Sequence, residues 1–395
     1  MPLTMTERGS VTKELKDRYR KAGKKEKGRM LDEFCKLTGY RRSYATYKLR
    51  AQNTTRSYNK VKKALQKPRG RKRKYGPECL EPLIAVWVTL DLACGKRVAA
   101  AMTNTVLALV RFGEIDCTDE VVLKLKQMSA STIDRMLAVQ RKKLCLKGRS
   151  ITKPGTLLKQ EVAIRLGTEW PEGVPGYVEM DTVGHCGTST RGQYVVTLDV
   201  TDIETQWSEQ RACLNKAEKH VFVEVKEIRA RLPFKLLGAD TDGGSEFING
   251  HMLRYCKEER IVFTRGRPYR KNDGCHIEQK NWSIVRQTVG YGRFETQREC
   301  DLLNMVYDYV RLINNFFMPS QRLESKTRDG GRVVRKMDEP KTPYERVMES
   351  KHVNAASKRQ LAAVYKTINP AECRREITRL VAKLYKARNE RECKA

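Results

Sequence analysis

Three carboxylates stand where a chain could gather them. Asp181 closes the short apolar run Tyr177-Val-Glu-Met-Asp181. Asp242 follows a second such run, Phe234–Ala239, and precedes Gly243-Gly244. Glu278 falls within the first turn or so of a helix expected to begin near Asp273. Thirty-five residues separate Asp242 from Glu278, and Asp181 lies sixty-one positions before Asp242. Hard divalent cations take oxygen ligands. Phosphodiester cleavage and transfer uses two such ions about 3.5–4 Å apart, one activating the attacking oxygen and one stabilising the leaving oxygen. On this expectation Asp181 bridges both ions, and Asp242 and Glu278 each hold chiefly one. Two Mg2+ ions are the expected cofactor, with Mn2+ as a substitute.

Each carboxylate alone has an ordinary role. An Asp before Gly-Gly forms turns, and a Glu early in a helix complements the helix dipole. Nearby acids are expected to be structural: Asp199 and Asp202 as turn residues closing a strand, Asp240 as a strand-end residue, and Glu246 at a helix start. His185, Cys186, Cys275 and His276 do not have the spacing of a zinc site, and thiolates are poor company for Mg2+. His185 is expected to contact DNA or to pack, and Trp282 to pack onto a sheet rather than stack on a base.

The elements that must position the three acids follow from patterning. Tyr177–Asp181, Gln193–Val200, Thr205–Leu214, Phe234–Ala239 and Arg260–Thr264 are expected strands, with Thr205–Leu214 alternating as at a sheet edge. Helices are expected at Ala217–Arg231 and Ile248–Glu259. Three strands, a helix, then alternating strand and helix describe a mixed α/β sheet with flanking helices. Carboxylates at the ends of adjacent strands and on a nearby helix can converge, because such elements are rigid.

Upstream, the chain is helical. Met30, Leu31, Phe34 and Leu37 recur on one helix face. Thr38-Gly39-Tyr40 breaks that helix, and Ser43 is a candidate cap for the next, which carries Ala45, Tyr47 and Leu49. A helix, a glycine turn and a basic helix with Arg41, Arg42 and Lys48 give the layout of a helix-turn-helix. Residues 67–74 (KPRGRKRK) then form a basic linker suited to phosphates, including Arg71, Lys72, Arg73 and Lys74. Around Ser129-Ala-Ser131 a second helical pair is expected, with Ser131 as cap.

The words around the acids carry a resemblance. Thr241-Asp-Gly-Gly-Ser-Glu-Phe247 resembles the TDNGSEF signature of the retroviral-integrase-like DDE superfamily, with Gly243 in place of Asn. Pro268–Glu278 (PYRKNDGCHIE) is similar to its second signature, and the D-35-E spacing matches. With the amino-terminal helix-turn-helix, the chain resembles bacterial insertion-sequence transposases from about residue 25 to 350. The resemblance implies a multidomain protein with a ribonuclease-H-like catalytic core preceded by an all-α helix-turn-helix region. The expected divisions are 1–66 (helix-turn-helix), 67–76 (basic linker), 77–150 (second helical domain), 170–300 (catalytic core) and 301–395 (helical, basic). Within the last, 318–341 is expected to be a connector.

The same resemblance implies a transposase that binds the inverted repeats at its element's ends, cleaves their 3′ ends and joins them to target DNA. Water attacks first and the freed 3′-hydroxyl second. It also implies a homodimer or larger assembly on double-stranded DNA. Arg270, Lys271 and Lys280, beside Glu278, are expected to contact that DNA. A ribonuclease-H-type nuclease without strand transfer and a non-catalytic, domesticated DNA-binding protein are the alternatives.

Composition supports a polyanionic partner. The 395 residues carry a formal charge of +32, and the first 75 hold 25 Lys and Arg against 6 Asp and Glu. Such a chain repels itself unless it meets an anion. No apolar run approaches the roughly 18–20 residues that span a bilayer. Twelve cysteines without a CxxC pair read as reduced thiols, so a cytoplasmic, nucleoid-associated protein is expected.

Overall fold

A computed structural model describes residues 3–50, 74–144, 171, 173–241, 246–247, 249–265, 277, 280–329 and 332–393. The chain divides into two units, Met1–Arg73 and Lys74–Ala395.

The first unit contains three described helices, α1 (Met5–Lys21), α2 (Lys24–Thr38) and α3 (Arg42–Arg50). A capping box starts α1: the Glu7 amide donates to Thr4 Oγ1, and the Thr4 amide donates to Glu7 Oε2 at 2.7 Å. Gly39 ends α2 at φ 71°, a left-handed cap that a side chain would strain, and its N–H donates to the Cys35 carbonyl at 2.9 Å. Tyr19, Met30, Leu31, Phe34, Ala45 and Leu49 form the core. Leu37 and Tyr47, expected on the inner faces, are 57% and 65% exposed. Each lies just past the arc its helix buries.

The second unit opens with α4 (Leu80–Thr89), α5 (Gly95–Arg111), α6 (Asp119–Lys126) and α7 (Ala130–Leu144). Because α7 starts at Ala130, its cap is Ser129, whose Oγ accepts from the Thr132 amide at 3.4 Å, rather than the expected Ser131. Asp134 reaches across to accept the Gly95 amide at 2.9 Å, so one helix caps another. A Cβ on Gly95 would stand 2.4 Å from the Ala130 carbonyl oxygen, so the approach requires glycine.

A five-stranded sheet follows: β1 (Tyr177–Gly184), β2 (Val196–Asp202), β3 (Ser208–Cys213), β4 (Gly238–Thr241) and β5 (Val262–Arg265). Its order is β3-β2-β1-β4-β5. The first three strands are antiparallel, whereas β4 and β5 run parallel to β1. This is the expected mixed sheet with flanking helices. Val178, Met180, Leu198 and Val200 point to α8 (Glu218–Arg231) and α9 (Gly250–Glu258), burying an apolar layer with Val221, Val225 and Met252. The intervening residues Glu179, Asp181, Thr197 and Asp199 therefore occupy the opposite face, since side chains alternate along a strand.

That polar face packs near a π-helical turn, Asn281–Arg286, which continues as α10 (Gln287–Val289), and α11 (Gln297–Phe316). The Thr197 and Tyr307 hydroxyls are 2.7 Å apart. Strand β3 is the sheet's edge, and α11 lies along it. Asn304 accepts the Ala212 amide at 2.7 Å and donates to its carbonyl at 2.9 Å. Asn315 treats Ser208 the same way, at 2.9 and 2.8 Å.

The carboxyl region adds α12 (Pro343–Glu349), α13 (Ala355–Thr367) and α14 (Pro370–Glu392). Leu380 and Leu384 of α14 share one apolar core with Phe316 of α11 and with Leu83 and Leu137 of α4 and α7. One expectation fails here. The stretch 318–341 is not an irregular connector but holds an antiparallel ribbon of β6 (Leu323–Asp329) and β7 (Arg332–Met337). Two residues, Gly330-Gly331, separate these strands, a sequence that favours tight hairpins; the density of Lys and Arg hid the signal. No described helix is long and apolar enough to cross a membrane.

Candidate active site

Asp181 lies in the middle of β1 rather than at its end, because the strand runs on to Gly184. It is partly exposed. Its Oδ1 accepts from the Thr182 amide at 2.7 Å and its Oδ2 from Asn281 Nδ2 at 2.6 Å. Those contacts fix the carboxylate's direction.

Register sets its neighbours. Asp181 is opposite Asp199 on β2, and Asp199 is opposite Gln210 on β3. Directly opposed residues share a face, so the three side chains form a row across the sheet. Asp199 is fully buried, with Oδ1 accepting from Gln210 Nε2 at 2.9 Å and Oδ2 without a hydrogen-bond partner among the described residues. Burial pushes its carboxyl up to about 7, against the Gln210 bond and the Lys280 charge, with the Asp181 charge adding to the rise. The expected turn role thus fails for Asp199 but holds for Asp202. Asp202 accepts from the Gly176 amide at 2.7 Å and the Thr205 amide at 2.6 Å.

Lys280 also departs from expectation. It is 8% exposed rather than spread on a DNA surface. Burial lowers its ammonium to about 8, and the field of Asp199 works in the opposite sense. Cation and acid thus offset one another beneath the sheet's polar face.

The segments that carry the other two acids are tied to β1. Buried Glu179 accepts the Ile277 amide at 2.9 Å. Ile277 immediately precedes Glu278, and Lys280 and Asn281 follow it. Anchors therefore exist on both sides of Glu278, one at Glu179 and one at Asp181. Thr241, which precedes Asp242, is paired with Met180, which precedes Asp181. Asp242 and Glu278 themselves lie outside the described residues, as do Arg71, Lys72, Arg73, Arg270, Lys271, Cys275 and His276.

Glu246 is not the helix-start residue expected; Asn249 is, its side chain accepting from the Met252 amide at 2.9 Å. Glu246 instead accepts from Thr182 Oγ1 at 2.9 Å and pairs with Lys216 at 3.2 Å. Burial alone would raise its carboxyl, but its own backbone, Thr182 and Lys216 together hold it below the usual range. Asp240 accepts from Thr264 Oγ1 at 2.6 Å, tying β4 to β5. His185 packs: it is fully buried, 2.7 Å from Thr197 Oγ1 and against Phe294. Burial, helped by the Arg286 charge, lowers its imidazole to about 3. Trp282 does the reverse of what was expected, standing 57% exposed one residue beyond the Asn281 anchor.

The remaining basic candidates are at the surface. Arg41 is exposed, exposed Arg42 pairs with Asp32, and Lys48 stands over the Tyr44 ring at 5.5 Å. Lys74 donates to Gln127 Oε1 at 2.8 Å.

No group of three or more His, Cys, Asp or Glu side chains that could hold a metal ion occurs among the described residues. The donor type at Asp181, an oriented carboxylate with part of its surface open, fits a hard cation. Sequence reasoning missed Asn281 and Gln210, and it missed the place of Asp199 beside Asp181. Asn281 lies three residues after Glu278, within one helical turn. Nothing in the sequence signals the other two, which meet Asp181 only through strand register.

No family model matches the chain. Two solved structures align with parts of it. The catalytic core domain of BIV integrase does so at 16% identity over 45% of this chain and 96% of its own, with a TM-score of 0.31. The HTLV-2 integrase catalytic core domain, in complex with magnesium and in dimeric form, does so at 12% identity over 37% of this chain and 91% of its own, with a TM-score of 0.28. At those scores the fold rests on the chain's own sheet topology. The uncharacterized protein y4rM of Sinorhizobium fredii is 36% identical over 348 residues, which are 87% of this chain and 96% of that protein. An identity of that extent places the chain in the same family as y4rM.

Proposed function

We propose that this protein is a DNA transposase with a ribonuclease-H-like catalytic core, whose metal ligands are Asp181, Asp242 and Glu278. One observation carries the reading. The described residues near Asp242 and Glu278 in the chain are paired with or bonded to β1 just before Asp181, at Glu179 and Met180, or at Asp181 itself. Consecutive Cα atoms are 3.8 Å apart, so those anchors hold the ends of both segments beside the oriented carboxylate.

Two Mg2+ ions, or Mn2+ in their place, would activate the attacking oxygen and neutralise the leaving one when bound there. The chain's own residues do the positioning. Asn281 and the Thr182 amide aim Asp181, and Gln210 steadies Asp199 behind it. Exposed Trp282 offers an aromatic face beside the site for an unpaired base. The amino-terminal helices, with exposed Arg41 and Arg42, are assigned to recognition of the inverted repeats as a helix-turn-helix. A dimer or larger assembly on DNA in the cytoplasm completes the proposal.

One observation favours a second reading. Asp199 gives Asp181 a neighbouring fourth carboxylate, a feature common in ribonuclease-H-type nucleases that do not join strands. Product analysis separates the two. Duplexes made from the DNA flanking the gene are incubated with the protein and Mg2+, and the products are resolved on a sequencing gel. Nicked 3′ ends plus joined molecules are expected, and both vanish in Asp242→Ala. Cleavage without joining selects the nuclease, and undiminished activity of Asp242→Ala removes the ligand assignment.

A further inference from the structure

The ribbon β6–β7 is rooted firmly, and its described side chains beyond the root are exposed. At its root, Asp338 Oδ1 accepts the Arg322 amide at 2.6 Å. Asp338 Oδ2 accepts from buried Arg346 at 2.7 Å, and Arg346 also donates to the Ser320 carbonyl at 3.0 Å. Beyond that root no described residue of either strand joins the apolar clusters of the unit. Val333 and Val334, on opposite faces, are 41% and 48% exposed, and Met337 is 42% exposed. A lone two-stranded hairpin with both faces in water is marginal.

Its register sharpens the point. Lys326 is opposite Arg335, and Arg328, two residues along, is opposite Val333. The backbone therefore places positions 326, 328 and 335 on one face. Like charges at directly opposed positions destabilise a hairpin, so this pairing works against the ribbon unless an anion lies over it. The ribbon's size fits one such anion. Seven residues at about 3.3 Å each give a strand of roughly 23 Å. A two-stranded ribbon enters the major groove of B-form DNA, which is about 12 Å wide.

We propose that β6–β7 is a DNA-binding arm that lies in the major groove of duplex DNA, with the face that carries positions 326, 328 and 335 toward the duplex. This rests on the reading that DNA is the substrate. The arm serves binding rather than chemistry. Arg322 at its root donates to the Glu204 carbonyl at 2.8 Å, next to Ile203, whose amide bonds Tyr177 at the start of β1. The root of the arm therefore lies at the end of the sheet away from Gly184.

The test compares the full chain with the triple variant Lys326→Ala, Arg328→Ala, Arg335→Ala, after thermal unfolding shows that both melt alike. Binding to duplex DNA is measured by fluorescence anisotropy across a salt series. Each phosphate contact contributes about 0.9 to the slope of log affinity against log salt. The variant is expected to lose roughly 2 to 3 of that slope and on the order of 10- to 100-fold in affinity. Protection of guanine N7 from methylation, a major-groove readout, is expected to disappear in the variant. Affinity for duplex RNA, whose major groove is too deep and narrow for side chains, is expected to stay the same. A salt slope unchanged in the variant, where the wild type binds DNA, overturns the arm, and an equal loss on duplex RNA overturns groove docking. Failure of the wild type to bind any duplex DNA overturns the proposed function itself, and the arm with it.

Discussion

The two β-structures of the second unit treat charge in opposite ways. In the five-stranded sheet, acids sit inside: Glu179 and Asp199 are buried, and each is held by a specific partner across an element boundary. In the ribbon, the cations Arg335 and Lys336 are exposed, and no described side chain of either strand is buried. A buried charge must be hydrogen-bonded to be tolerated, and the bonds that satisfy it also fix it in place. An exposed charge keeps its solvation and acts at a distance, weakened by salt. The sheet is built for precise placement, and the ribbon for attraction.

The sharpest way to break this contrast is at Asp181. Asp181→Asn keeps the shape and removes the charge. Loss of several kcal/mol of transition-state stabilisation corresponds to a fall in cleavage rate on the order of a thousandfold or more, with DNA affinity unchanged. Equal losses in binding and rate would make Asp181 a contact residue rather than a ligand.

Next in size is the residue that aims it. Asn281→Ala is expected to lower the cleavage rate by roughly 10- to 100-fold, as removal of a ligand's supporting partner does. Raising the divalent-ion concentration should restore part of that rate. Asn281→Ala with wild-type kinetics would show that the contact is incidental.

A stability effect follows at the sheet's edge. Asn315→Ala strands the amide and carbonyl of buried Ser208, at a cost of about 1–3 kcal/mol. Denaturant melting reads it, and a change below a few tenths would mean that water replaces Asn315. The smallest effect is pH-dependent. His185 is held neutral down to about 3, whereas the unfolded chain takes up a proton near pH 6.5. Its contribution is therefore present above pH 6.5 and lost as pH falls toward 3, by about 1.4 kcal/mol per pH unit at most. His185→Gln should flatten that part of the profile, and an unaltered slope would show that other groups govern it.

The sequence made some of this legible and hid the rest for physical reasons. Alternation marked β3 as an edge strand, and short apolar runs located β1 and β2, because burial leaves a local imprint. The partnership of Asp181 with Asp199 left none, since register is decided by chain segments eighteen residues apart. Lys280 was misplaced because a lysine in a basic stretch looks solvated, and only the buried acid opposite it accounts for its position. Trp282 was misplaced for the converse reason: an aromatic ring suggests a core, yet here the helical turn points it outward. Asp242 and Glu278 are proposed as ligands on their words and spacing.

The asparagines of α11 have one more consequence. Asn304 and Asn315 are eleven residues apart, roughly 16 Å of helix, and they span Ser208 to Ala212 on β3. They occupy backbone groups that a further strand would otherwise claim. That border of the sheet is therefore closed to strand addition, and two copies of the chain cannot fuse their sheets through β3. If the protein assembles on DNA as proposed, its copies must be joined through β5, the helices or the DNA itself, and the geometry of the assembly would then follow the length and bend of the duplex.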